Sequence, residues 1–427
     1  MVCLRSVCLR RLAQGRRDGI VGFSRFLANP RVTLDGLLEG WGAEASQSCA
    51  GRHVLAIQDT SDIAIRTNAE HRRDLGKTGK GSGHGLLLHA MVGVDAASGA
   101  LLGLVGGKIW TRAGLQTVDR HRRPLSQKET ERWVSTGETA KQVLSAAAMV
   151  TQIGDRESDF YALWARLPGE SFHVLTRARD DRTIPAEEGG RLSAARLEDA
   201  GDETVELPAK PGRSARKAKL AARFGTVTLT HPTNTVEEGL PPSLRVNLVE
   251  VQEIDPPPGE EPVLWRLLTT HPIEDAQKAW TLVAWYRQRW IIEQLFRTLK
   301  QQGLRIEDSQ VESAERLIKL TALATQAACS ILQLVQARDG RSHQPASLTF
   351  TPAQIHTLKV LIPTLEGDTP LQKNHHPPGS LAWAAWAIAK LGGWDGYPKS
   401  RPPGPITFAN GLSRFKDIAQ GRTLRDV

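Results

Sequence analysis

A chain of 427 residues, 40% of them apolar and 24% charged, is long enough to bury a large core and to carry insertions or attached modules on a main domain. Lys and Arg outnumber Asp and Glu 55 to 46, and the net charge of +9 favours a polyanionic partner, because cations that neutralise phosphates release condensed counterions. The four cysteines, Cys3, Cys8, Cys49 and Cys329, show no CxxC spacing, which argues against a disulfide framework and against a structural zinc site.

The N-terminal MVCLRSVCLRRLAQGRR carries five arginines and no apolar core of signal-peptide length, so the expected location is cytoplasmic. HVLAIQDT reads as a buried strand running from His53 into a polar end at Asp59. A Gly- and Lys-rich loop comes next (Gly76 to Gly85). Its LGKTGKGSG would be a phosphate-binding loop only with Gly at the position of His71, so nucleotide binding is rejected. GLLLHAMVGVD and GALLGLVGGKIW then read as two strands joined at Ala96 to Gly99, completing a three-strand meander, with His84 and His89 as ordinary strand or loop residues. A helical pattern from about Lys128 to Ala148 leads into VTQIGDRESD, a second strand ending in an acid, Asp155.

From about Asp180 to Pro262 short Val- and Leu-containing runs alternate with Pro- and Gly-rich pieces, which reads as a β-rich insertion. VLWRLLTTHP is a further strand, and a long helix is expected from Ile273 to about Gln302. The stretch from Leu320 to Ala337 is interrupted by Thr321, Thr325, Gln326, Ser330, Gln333 and Gln336, so it reads as an amphipathic helix and no membrane span is expected. Beyond a Pro/His-rich linker near His375 to Gly379, SLAWAAWAIAKLGGW with Trp383, Trp386 and Trp394 looks like a helical core. The expected division is 1–50, 51–180, 181–262, 263–340 and 341–427.

The informative segment is YRQRWIIEQLFRTLK. On one continuous helix Tyr286, Arg289, Glu293 and Lys300 fall within an arc of roughly 60°, while Ile291, Leu295 and Leu299 point the other way. Such a face lines a cleft, or else it is a solvated surface with an Arg289–Glu293 pair. Cleaving a phosphodiester requires charge stabilisation on the attacking and leaving oxygens, which two Mg²⁺ ions about 4 Å apart supply. Mg²⁺ takes a few carboxylates plus waters and phosphate oxygens, so acids at open strand ends suit it. A lone strand-end Asp is commonly a turn residue; two of them plus a helical Glu make coincidence less attractive.

With these residues the sequence resembles the bacterial DDE transposases of the insertion-sequence-four family, from about Gly22 onward. AIQDTSD around Asp59, IGDRESD around Asp155 and a Tyr-Arg-Glu-Lys signature, Tyr286, Arg289, Glu293 and Lys300, carry the resemblance. It implies an α/β, ribonuclease-H-like mixed-sheet core with a β-rich insertion before the catalytic Glu helix and a helical C-terminal region through which subunits pair. It implies that Asp59, Asp155 and Glu293 hold two Mg²⁺ ions, with Mn²⁺ able to substitute, and that Tyr286, Arg289 and Lys300 contact phosphates. The implied partners are double-stranded DNA, as transposon ends and target, and a second copy of the chain on DNA, in the cytoplasm and on the nucleoid. Family members cut through a DNA hairpin with a flipped base stacked on aromatic rings, and Trp265 stands where such a tryptophan is found; the alternative is a core tryptophan.

In the insertion, Lys210, Arg213, Arg216 and Lys217, with Lys219 and Arg223, form an acid-free basic run that either tracks DNA or is a solvated loop. Arg120, Arg122 and Arg123 are a lesser candidate of the same kind. Residues 1–50 are read as a truncated remnant of the family's end-binding helical domain. The expected activity is metal-dependent strand cleavage and strand transfer by cut and paste. The alternatives are a truncated, non-catalytic relative that inhibits transposition by dimerising with full-length enzyme, and a general metal nuclease.

Overall fold

The computed structural model describes residues 7–13, 15–66, 74–79, 83–112, 123–207, 214–232, 239–341, 343–397 and 400–423. In chain order these form helices α1 (Leu9–Leu12), α2 (Arg17–Ala28) and α3 (Leu34–Cys49), then strands β1 (His53–Ala64), β2 (Gly76–Lys77), β3 (His84–Asp95) and β4 (Leu101–Trp110). Next come α4 (Glu131–Val143), β5 (Met149–Gly154), α5 (Tyr161–Arg166) and β6 (Phe172–Arg177), and after them β7 (Glu198–Leu207), β8 (Arg216–Thr230), β9 (Ser243–Ile254) and β10 (Leu264–Thr269). The rest is helical: α6 (Ala276–Arg287), α7 (Trp290–Lys300), α8 (Ala314–Ala337), α9 (Pro352–Leu365), α10 (Leu381–Leu391) and α11 (Pro405–Thr423). The fold is mixed α/β with a large, mostly antiparallel sheet and a helical C-terminal region, consistent with a ribonuclease-H-like core. The chain divides into two compact units, 1–50 with 60–116 and 291–427, and 51–59 with 117–290.

In the second unit the sheet order is β1-β5-β6-β10-β9-β8-β7. The pairs β1–β5 and β5–β6 are parallel, and the others are antiparallel. Val54, Leu55, Ala56 and Ile57 are all fully buried, as a strand covered on both faces requires. The insertion strands adopt the two-residue alternation instead, with Ala218, Leu220, Ala222 and Phe224 of β8 buried and Lys217, Lys219 and Arg223 exposed. They continue the sheet outward, since β9 pairs with β10 and β10 with β6. The strand expected to end at Asp59 runs on to Ala64, and it pairs with β5 from His53 opposite Met149 to Ile57 opposite Ile153.

In the first unit, β3 and β4 form the expected hairpin, whose turn is fixed by Asp95 Oδ1 accepting from Ala97 N and Ser98 N, both at 2.9 Å. Part of the predicted glycine-rich loop is a strand, β2, paired with the start of β3. Helix α8 is long and apolar enough to cross a membrane by length and composition, yet 72% of its apolar window is buried inside the protein. Its polar interruptions serve the sheet: Gln336 Oε1 accepts from Leu101 N at 2.9 Å, and Gln333 Nε2 donates to the Leu102 carbonyl at 3.2 Å. Trp383 and Trp386 of α10 are buried in an apolar cluster shared by α8, α9 and α11, and Trp394 packs against it. Gly411 lets α11 cross α10 closely, because a Cβ there would collide with the Ile388 carbonyl.

One buried polar group predicts a pH dependence. His53 and His271 each hydrogen-bond the Thr151 hydroxyl at 2.7 Å, and His271 stacks on His173 with ring centroids 3.9 Å apart. Burial, reinforced by His173, Lys278 and His53, pushes His271 down from 6.5 to about 2, and burial also lowers His173. Because the folded-state values lie below the unfolded one, this stabilisation is complete above pH 6.5 and is lost progressively as pH falls from there. His271 alone should cost about 2 kcal/mol of unfolding free energy between pH 6.5 and 5. Urea unfolding at the two pH values, with His271→Gln as the flattened control, checks it.

Candidate active site

Two residues beyond the Ile57–Ile153–Leu175 row, the three adjacent parallel strands reach Asp59, Asp155 and Arg177. The two acids thus follow the ends of the paired stretches of neighbouring strands, with an arginine at the end of the third. Asp155 comes directly after β5 and caps a 3₁₀ turn, Arg156–Ser158, its Oδ1 accepting from Glu157 N at 2.8 Å. The residue before it must be glycine: a Cβ on Gly154 would strike the Ser158 side chain and come within 3.0 Å of Trp133 Cζ3. Ser158 in turn donates its hydroxyl to the Asp155 carbonyl at 2.7 Å.

Basic and aromatic groups gather beside the acids. Arg289 Nη1 lies 3.3 Å from Asp59 Oδ2 in an ion pair whose side chains are both about one-fifth exposed. Arg177 Nη2 donates to the Leu264 carbonyl at 2.8 Å, and burial lowers its pKa. On β10, Leu267 pairs with Arg177, so Trp265, two residues away, faces the same side. Trp265 meets Tyr286 edge-on at 5.9 Å. Burial raises the Tyr286 phenol, against the opposing effect of Arg289 and Arg177. Arg156, Arg177, Arg287, Arg289, Trp265 and Tyr286 help line one pocket of about 760 Å³, with Trp290 beside them and Glu206 and Glu261 as its acids. Its size suits a nucleotide.

The single helix face expected for Tyr286 to Lys300 is corrected by a break. Helix α6 ends at Arg287 and α7 begins at Trp290; between them Gln288 N bonds to Trp285 O and Arg289 N to Tyr286 O, both at 3.0 Å. These i→i−3 bonds tighten the chain into a turn and interrupt the helical phase. Tyr286 and Arg289 therefore belong to the second unit with Asp59 and Asp155, whereas Glu293 and Lys300 belong to α7 of the first. Within α7 the expected polarity holds, with Ile291, Leu295 and Leu299 buried, Glu293 and Lys300 on the opposite side, and Lys300 Nζ 3.6 Å from Glu307 Oε1.

The basic run of the insertion is partly engaged within the sheet: Arg216 forms ion pairs with Glu253 and, at 2.8 Å, with Glu260. Lys217 is exposed but stands opposite Glu206, and Lys219 pairs with Asp202 at 2.7 Å. Lys210 and Arg213, like Arg120 and Arg122, lie outside the described residues. The residues missed from sequence are Arg156, Arg177, Arg287 and Trp290. For Arg177 the available signal was its place at the end of a third apolar run, FHVLTR.

Among the described residues no group of three or more His, Cys, Asp or Glu side chains is gathered closely enough to hold a metal ion. Asp59 and Asp155 nonetheless fit Mg²⁺ chemistry: both are hard oxygen donors, and this ion is commonly held by one or two carboxylates with waters and substrate phosphates completing its shell. Comparison with known families bears on the same residues, since the sequence model described as "Transposase DDE domain" matches residues 50–332, a span containing Asp59, Asp155 and Glu293. With that match covering more than half of its length, the chain belongs to the DDE transposases, metal-dependent enzymes that cleave DNA.

Proposed function

We propose that the chain is a cut-and-paste transposase of the insertion-sequence-four type, acting as a homodimer on paired transposon ends and then on target DNA. The observation that carries this reading is the row Asp59, Asp155 and Arg177 beside a pocket of arginines and aromatic rings. Asp59 and Asp155, joined by Glu293, would hold two divalent ions, Mg²⁺ or Mn²⁺, which when bound supply charge stabilisation on the attacking and leaving oxygens. Tyr286, Arg289, Arg177 and Lys300 bind backbone phosphates. Arg289 exchanges Asp59 for a phosphate oxygen when DNA arrives, releasing the carboxylate for its ligand.

Excision then takes three displacements, and insertion a fourth. Water attacks a phosphodiester at the transposon end and leaves a 3′-hydroxyl; that hydroxyl attacks the opposite strand, closing a hairpin and freeing the flanking DNA; water reopens the hairpin. The regenerated 3′-hydroxyl then attacks target DNA. Closing a hairpin strains the terminal bases, and Trp265, edge-on to Tyr286 in the pocket, stacks one flipped out of the helix. Stacking on an aromatic ring is worth about 1–3 kcal/mol per base, so Trp265→Ala should slow hairpin closure by roughly 5- to 150-fold while leaving the first nick largely intact. Denaturing gels separate nicked from hairpin product on an end-labelled duplex, and equal loss of both steps would count against a stacking role.

A further inference from the structure

Four residues beyond Asp155 lies an acid that the proposed reaction does not use. The Asp159 side chain is 0% exposed, yet it carries a full set of directional partners. Its Oδ1 pairs with Arg182 Nη2 at 2.6 Å and accepts from Trp164 Nε1 at 3.3 Å, and its Oδ2 accepts from Arg179 N at 2.8 Å. Arg182 Nη2 also donates to the Asp159 carbonyl at 3.3 Å. Asp159 ends the turn that begins at Asp155, and Arg179 and Arg182 lie on the segment that leaves β6 just after Arg177. The same turn is held from a second side, where Arg132 of α4 reaches Glu157 at 2.7 Å.

A buried ion pair gives little net stability, because desolvating both charges offsets most of their attraction; what it does supply is fixed geometry. Here the fixed elements are the two strand ends that present Asp155 and Arg177 side by side. We propose that Asp159 is a positioning residue, tying the Asp155 turn to the segment after Arg177 so that acid and arginine keep their relative place. The proposal rests on the reading of Asp155 as a metal-holding acid. Asp159 does not touch the reacting atoms and acts only through Asp155 and Arg177.

The test is Mn²⁺ alone, titrated into the full chain with free ion measured by electron paramagnetic resonance, beside thermal unfolding of each variant. Asp155→Ala should remove the site. Asp159→Asn keeps the shape but loses the charge that holds Arg182, and should weaken Mn²⁺ binding about tenfold, the scale of losing a partner that orients a ligand. Arg182→Met should match it, the double variant should be no worse than either, and Arg182→Lys should recover part of the loss. A purely structural role would lower the unfolding temperature and leave the Mn²⁺ affinity of the folded protein unchanged. Wild-type affinity in folded Asp159→Asn, with Asp155→Ala impaired, overturns the proposal alone. Wild-type affinity in Asp155→Ala overturns the metal assignment and the proposal with it. Should Asp159→Asn fail to fold, the Arg182→Met and Arg182→Lys pair decides the matter in the same way.

Discussion

Asp155→Asn should lower the rate of DNA strand cleavage by roughly three orders of magnitude or more, since the lost charge stabilisation amounts to several kcal/mol and each 1.4 kcal/mol is about tenfold. The substitution is nearly isosteric, and an amide oxygen still accepts the Glu157 N–H bond that caps the turn, so the local fold is retained. DNA affinity should hold or rise slightly, because a negative charge facing phosphates is removed. Single-turnover cleavage and gel-shift titration of the same protein separate the two effects. Comparable loss of binding and cleavage would mean that the residue shapes the DNA surface instead of serving the chemistry.

The second large effect is on stability. Trp133 of α4 is 0% exposed, and its carbonyl accepts from Gln58 Nε2 at 3.3 Å and Gln152 Nε2 at 3.4 Å, side chains of β1 and β5 just before the two acids. Trp133→Ala should cost about 3–5 kcal/mol through lost burial and an unfilled cavity. That is a large share of the 5–15 kcal/mol that typically holds a domain together. The cavity would open directly beside Gly154, so activity per folded molecule should fall too. Urea unfolding gives the first number and active-site titration the second; a loss below about 1 kcal/mol would mean that the neighbours collapse into the gap.

Much of this site was legible in the sequence because its chemistry sits at ends of apolar runs. His53 to Ile57 and Met149 to Ile153 announce strands by composition, and each leads into an aspartate. What composition does not carry is register. Arg177 joins the acids only because β6 pairs with β5 at Thr151–His173 and Ile153–Leu175, a fact of tertiary packing. The break between α6 and α7 was hidden by the absence of Pro or Gly from YRQRWIIEQLFRTLK. The partners of the basic run were hidden because they are remote in sequence. Arg216 looks unopposed along the chain, but Glu253 and Glu260 lie far away in sequence and adjacent in space.

The most direct test of the central claim is cleavage of linear DNA carrying the element's own flanking terminal repeats, with Mg²⁺, Mn²⁺ or chelator, comparing wild type with Glu293→Gln. The account predicts metal-dependent cuts at the repeat ends, hairpin-capped transposon DNA as a transient product, and neither in the variant. Cleavage that persists in Glu293→Gln, or a folded wild type that leaves the ends uncut in either metal, would contradict it.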